Sequence, residues 1–394
     1  MTNTIPLASS LSAIQASQIR QVADVAFGME QAGTPVLKLQ FGESNMPTPD
    51  YIKEAMVQAL ADGYTFYSEN AGLPSLRETL AQKYAEMHNV TLDPTREIMI
   101  TASGVQALNV SIRCTINPGD EVLVLTPNWP NGTEIVRMYG ATPIEIPYKF
   151  DEEQGYAIDF EALENALTPR TKMLLYTSPS NPLGWVATIS DQQALLDFTR
   201  KHNLWLVADE VYERIYFDAL VAPSILRLCT RDDAVIVVQS FSKSYCMTGW
   251  RLGWVISRAD MIAQATALNE FIVSHAASMT QRAGEVALTK GEADVQALSK
   301  AFAERVNYCY QATSTLSNVS VAQPAGTFYL FLSIDGVDDS VSFALELLKQ
   351  EQIAVAPGSA FGNGGEGAIR ICCASDMSVL EPAMERLTRF LGNR

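Results

Sequence analysis

The chain has 394 residues, 47% hydrophobic and 18% charged, with 28 basic against 44 acidic residues and a net charge of −16. That length suits two or so domains of roughly 100–200 residues with a sizeable core. The charge argues against broad binding to nucleic acid or an anionic membrane surface, so any anion site must be a local basic pocket.

Met1–Leu7 has no basic n-region and no long apolar h-region, and no apolar run reaches the roughly 20 residues that span a bilayer. The expectation is a cytoplasmic protein without a leader. Cys114, Cys229, Cys246, Cys309, Cys372 and Cys373 are dispersed and mostly lie in apolar runs, which reads as reduced thiols rather than disulfides. His88, His202 and His275 lie far apart without ligand spacing, so no metal is expected.

From about residue 95, short apolar runs alternate with helical patterns. The predicted strands are Ile98–Thr101, Glu121–Leu125, Pro143–Ile146, Lys172–Tyr176, Leu204–Ala208 and Val235–Gln239. Most are continuous apolar runs, as in strands covered on both faces. Helical stretches such as Gly104–Cys114, Phe160–Leu167 and Ser190–His202 separate several of them, which predicts an α/β sheet, mostly parallel. Leu252–Ile256 follows Gln239 without room for a crossover helix and should be an antiparallel neighbour.

Beyond Lys290 the pattern changes to a long helix and then to strands Val319–Ala322, Thr327–Ile334, Ile353–Ala356 and Ala368–Cys373. A helix at Val341–Glu351 lies among them, and a last helix carries Leu380, Met384, Leu387 and Leu391 on one face. The expected organisation is residues 1–45 as an arm and part of a small domain, 46–290 as a large domain, and 291–394 as a small α+β domain.

Ligands of open α/β sheets bind beyond the carboxyl ends of the strands, and polar residues collect at those ends here. Ser103-Gly104-Val105 follows the first strand, where Ser103 is either a plain helix cap or the start of an anion-facing helix. Trp129 follows the second, as a core residue or a platform for a flat ring. Asn181 lies between two prolines in a turn-rich segment. Asp209 ends Leu-Trp-Leu-Val-Ala, where a carboxylate is costly to bury without a cation, and Tyr212 is close behind. Ser240, Ser242, Lys243 and Arg251 follow Val235–Gln239. A desolvated lysine beside a second cation is a reactive amine, and arginine suits bidentate phosphate binding.

The run Ser240-Phe241-Ser242-Lys243 through Met247-Thr248-Gly249-Trp250-Arg251 resembles the class I/II aminotransferases, pyridoxal-phosphate enzymes of the aspartate-aminotransferase-like fold. So do Tyr67…Gly72…Leu76-Arg77, Asn181-Pro182-x-Gly184, Asp209-Glu210-Val211-Tyr212 and Ala368-Ile369-Arg370, in that order. The resemblance extends from about Leu39 to the C-terminus. It implies that Lys243 holds the cofactor as a Schiff base and shuttles a proton, that Asp209 pairs with the pyridine nitrogen, and that Tyr212 and Asn181 bond the ring oxygen. It also implies that Trp129 stacks on the ring and that Ser103, Gly104, Ser240, Ser242 and Arg251 hold the phosphate, with Val105 a further cofactor contact. Tyr67 would reach the neighbouring subunit's phosphate in a homodimer with shared sites. Arg370 would clamp the substrate α-carboxylate, with Gly42, Trp129 and Asn181 beside it.

The implied reaction moves an amino group from an L-amino acid to a 2-oxo acid in ping-pong fashion. Lyases on the same fold, β-eliminating or 1-aminocyclopropane-1-carboxylate synthase-like, are the alternative. Some aspartate-preferring relatives have a lysine where this chain has Val105, so an aspartate donor and a neutral or aromatic one stand level. Two motifs are decoys. Ser240-x-x-Lys243 matches the Ser-x-x-Lys of penicillin-binding proteins, but Ser-Asp-Asn and Lys-Thr-Gly are missing from the chain. Gly362-x-Gly364-x-x-Gly367 precedes a strand, whereas a dinucleotide site needs the strand first.

Overall fold

The computed structural model describes residues 13–393. The start of the expected N-terminal arm, residues 1–12, lies outside the described residues. The principal sheet has seven strands in the order Ile98–Thr101, Gly253–Ser257, Val235–Ser240, Trp205–Asp209, Thr171–Thr177, Glu121–Thr126, Thr142–Pro147. All neighbours are parallel except Gly253–Ser257, which runs antiparallel to both of its partners. The expected mixed α/β architecture is therefore present, including the predicted antiparallel strand.

Continuous apolar runs form these strands because both faces are covered. Leu123, Leu125, Leu174, Tyr176, Leu206, Ala208, Val235 and Val237 enter one core cluster. The alternate residues Val122, Val124, Met173, Leu175, Val207, Ile236 and Val238 enter another, as the two-residue period of a strand requires. Helices such as Gly104–Thr115 and Ala259–Glu270 pack on the second face.

A four-stranded antiparallel sheet has the order Val319–Ser320, Tyr329–Ile334, Ala368–Cys372, Ala356–Pro357. Leu330, Leu332, Ile369 and Ile371 share a third cluster with residues of helices Gln18–Gln31, Glu292–Thr313, Ser340–Glu351 and Met377–Gly392. On its other face, Phe331, Ala356 and Ala368 belong to the cluster of the large sheet. The expected single strand Ile353–Ala356 is corrected: Ile353–Ala354 pairs in parallel with Leu37–Lys38, and Ala356–Pro357 pairs with Ile369 and Arg370. Pro357 has no N–H to donate to a longer ladder.

All six cysteines are free. No helix among the described residues is long and apolar enough to cross a membrane.

Candidate active site

Register aligns the polar strand ends. Thr177 pairs with Asp209, Asp209 with Val238, Ser240 with Gly253, and Gly253 with Thr101. Gly253 permits this crowding, because a Cβ there would lie 2.6 Å from both the Gly104 nitrogen and the Gln239 carbonyl oxygen. Ser103 and Ser240 are consequently brought onto one edge. Ser103 Oγ accepts from Gln106 N at 3.1 Å and caps the helix Gly104–Thr115. That leaves the first N–H groups of the helix at the sheet end. Gly104 and Val105 form its first turn. Ser240 Oγ donates to Ser242 Oγ at 2.9 Å and accepts from Ser242 N at 3.0 Å.

Asp209 is the last residue of its strand and is buried. Its Oδ1 accepts from Val211 N at 3.3 Å. Burial raises its carboxyl to about 7, against the Val211 N–H and the charge of Lys243. Glu210 turns elsewhere and accepts from Ile225 N at 2.9 Å, as successive side chains of an extended chain do.

Lys243 lies beyond the end of Val235–Ser240, and its Nζ donates to the Gly42 carbonyl at 2.6 Å. Burial pulls this amine down to about 8; the charges of Arg370 and Arg251 act the same way, and Cys372 and Glu43 oppose. Nζ stands 5.7 Å from the centre of the Tyr212 ring.

The small sheet supplies the facing wall. Arg370 is 2% exposed, yet Nη1 donates to Asn181 Oδ1 at 2.9 Å and Nη2 to the Gln40 carbonyl at 2.6 Å. Its Cζ stacks 4.4 Å from the centre of Tyr329 and 4.9 Å from that of Phe361. Its Nε is buried and has no partner among the described residues. Tyr212 Oη and Tyr329 Oη share a hydrogen bond of 2.7 Å, and burial raises both phenols.

The structure thus brings Lys243, Gly42, Tyr212, Asn181 and Arg370 together from both sheets. Three expected residues are not part of this buried group. Trp129 is half-buried. Arg251 is exposed and donates to the Thr248 carbonyl at 2.5 Å. Tyr67 is 91% exposed, with His275 edge-on at 5.8 Å. Sequence reasoning missed Tyr329, Phe361 and the Gln40 carbonyl. Tyr329 lies within a predicted strand, but only the pairing of that strand with the Arg370 strand reveals what it touches.

The family description "Aminotransferase class I and II" matches residues 34–387. An aspartate aminotransferase of Pyrococcus abyssi is 33% identical, covering 98% of this chain and 99% of that protein. An aromatic aminotransferase structure from Pyrococcus horikoshii superposes with a TM-score of 0.87 at 32% identity, over 94% of this chain and 99% of the other. The structure of Thermus thermophilus aspartate aminotransferase with maleate gives 0.91 at 31%, over 98% and 100%. With relatives that are named aminotransferases rather than lyases, over nearly the full length, the chain belongs to the class I and II aminotransferases, whose fold uses pyridoxal phosphate.

Proposed function

We propose that this protein transfers the amino group of an L-amino acid to a 2-oxo acid with Lys243 as the covalent and proton-moving residue. The observation that carries the reading is a half-buried lysine, its Nζ held on the Gly42 carbonyl, between a buried carboxyl and a seated guanidinium. Lys243 is held near 8, Asp209 near 7, and Arg370 keeps Nε unpartnered.

The residues fit pyridoxal phosphate. Asp209 is a buried carboxyl with one weak N–H contact, a seat suited to a protonated ring nitrogen. The start of helix Gly104–Thr115, with Ser103, Val105, Ser240, Ser242 and Arg251, offers N–H, hydroxyl and guanidinium donors to a phosphate. Lys243 would hold the group through Nζ, Tyr212 and Asn181 would bond its ring oxygen, and Trp129 would lie on its face. When bound, the cofactor supplies an electron sink for the bond broken at the substrate Cα.

The chain supplies the rest. Arg370 orients the substrate by its α-carboxylate, beside Gly42, Trp129 and Asn181. The Lys243 amine, which burial brings toward neutrality, would take the Cα proton as base and return it as acid to the carbon on the far side of the substrate nitrogen, two bonds away. Asp209 keeps a positive charge on the ring side of the cleft.

Phe66 and Tyr67, both exposed, lie against the segment 275–278 that directly follows the exposed Phe271, Ile272 and Val273, for Ser278 Oγ donates to the Phe66 carbonyl and His275 meets Tyr67. Such an apolar patch supports a homodimer in which Tyr67 crosses to the partner's site. Sedimentation equilibrium should then report a dimer mass. The contacts of Gln18–Gln31 and Leu37–Lys38 with C-terminal elements support joining residues 1–45 to 291–394 as a small domain beside 46–290. The six free thiols suit a reducing cytoplasm.

The test is a panel of aspartate, aromatic and aliphatic amino acids given to the holoenzyme without an oxo acid. One equivalent of 2-oxo acid per site, and no ammonia, is expected. Catalytic ammonia or pyruvate release would overturn the reading in favour of elimination. The donor that reacts fastest identifies the side-chain class, with aspartate and aromatic donors the first pair to compare.

A further inference from the structure

Tyr329 carries no motif and has no assigned part, yet it touches three parts of the site. It is fully buried at the start of strand Tyr329–Ile334. Its hydroxyl is 2.7 Å from that of Tyr212. Its ring lies 4.4 Å from the Arg370 guanidinium carbon. A Cβ on Gly42 would overlap its hydroxyl, and the Gly42 carbonyl is the acceptor for Lys243 Nζ.

We propose that Tyr329 is a positioning residue that aligns the two walls of the cleft, its hydroxyl fixing Tyr212 and its ring seating Arg370. The inference rests on the reading of Tyr212 as a cofactor contact and Arg370 as the substrate-carboxylate clamp.

The geometry follows from strand pairing. Tyr329 pairs with Cys372 and Phe331 with Arg370. Tyr329 and Arg370 are therefore diagonal neighbours on one face, within reach of long side chains. Tyr212 belongs to the segment after the Asp209 strand of the other sheet. The Tyr212–Tyr329 bond consequently ties the large sheet to the small one at the site itself.

The two ends of Tyr329 act differently. The ring face attracts a guanidinium without consuming one of its N–H groups, so the fork keeps donors for a carboxylate. The hydroxyl is a hydrogen-bond partner inside a dry site, where leaving Tyr212 unpaired is costly. Gly42 is the third member: any side chain there would drive Tyr329 away from both partners.

The two ends can be tested separately. Tyr329→Phe keeps the ring and removes the hydroxyl. The holoenzyme should then lose pyridoxal phosphate about fivefold faster on dilution, read by cofactor absorbance, while KM for the donor stays within about twofold of wild type. The donor is L-tyrosine or L-aspartate, whichever the wild type converts faster. Tyr329→Leu removes both ends and should also raise that KM about tenfold. Tyr212→Phe combined with Tyr329→Phe should lose cofactor no faster than Tyr212→Phe alone, because the shared bond is already gone.

Tyr212→Phe and Arg370→Lys serve as controls on the underlying reading. If they are impaired while both Tyr329 variants match wild type in cofactor loss and KM, the positioning role is overturned and the site reading stands. If Tyr329→Phe raises KM as much as Tyr329→Leu does, the division between hydroxyl and ring is wrong and the proposal falls. If the two controls behave as wild type, the site reading fails and the proposal fails with it. Should Tyr329→Leu not fold, Tyr329→Phe decides the hydroxyl role, and Tyr329→Trp, which keeps an aromatic face, decides the ring role by whether KM is retained.

Discussion

The two arginines proposed to bind anions are held in opposite ways. Arg370 is 2% exposed on a strand, stacked against two aromatic rings and bonded to two acceptors. Arg251 is exposed in a left-handed backbone conformation with φ of 55° and donates to one backbone carbonyl. A buried guanidinium survives only if its charge is met by partners on most sides. Those partners also fix its orientation before any ligand arrives. An exposed guanidinium loses rotamer freedom when it binds, which offsets part of what its charge contributes. The small-sheet wall is thus preorganised, whereas under the proposed reading Arg251 would be ordered by the phosphate it meets.

Lys243 stands between the two arginines, and its removal tests both walls at once. Lys243→Ala should lower turnover about 10⁴-fold, the upper end of what loss of a proton-moving group removes. Thermal unfolding should remain near wild type, and retained turnover would refute its assignment. Next in size is Arg370→Ala. Removing a buried, charge-assisted contact should raise KM for the donor about 100-fold. Cofactor affinity should change far less. Arg251→Ala should reverse that pattern with a smaller effect: about tenfold weaker cofactor retention, little change in KM, and a dependence on salt that Arg370→Ala lacks. Equal effects of the two substitutions on both readouts would remove the contrast between a preorganised and a recruited arginine.

The large sheet was legible because most of its strands, all but the edge strand Thr142–Pro147, are buried on both faces. Val235-Ile236-Val237-Val238 cannot be a surface segment, and a polar residue directly after such a run, like Asp209 or Ser240, stands out. The split at Val355 was not legible, because an apolar run does not reveal which of two sheets each residue joins. The aromatic seat of Arg370 was hidden for a related reason. Phe361 and Tyr329 lie far from one another along the chain, and their convergence depends on register between strands, which no local pattern encodes. Gly42 is expected only as a neighbour of the substrate carboxylate, yet its missing side chain is what admits Tyr329.

The smallest expected effect separates the cofactor wall from the substrate wall by pH. In the cofactor-free protein the Asp209 carboxyl is held at about 7, against an ordinary 3.8, with burial the main cause. Between those values the folded state keeps a proton that the unfolded state has lost. Folding stability therefore falls as pH rises through that window. Asp209→Asn removes this contribution and leaves others of the same sign, such as that of Glu210, in place. The wild type should lose roughly 2–4 °C more in Tm than Asp209→Asn between pH 5 and 8. Adding pyridoxal phosphate should abolish the difference in slope, since a cation against Asp209 favours its charged form. Parallel pH slopes for the wild type and Asp209→Asn without cofactor would show that Asp209 is already compensated, and the ring-nitrogen seat would lose its physical basis.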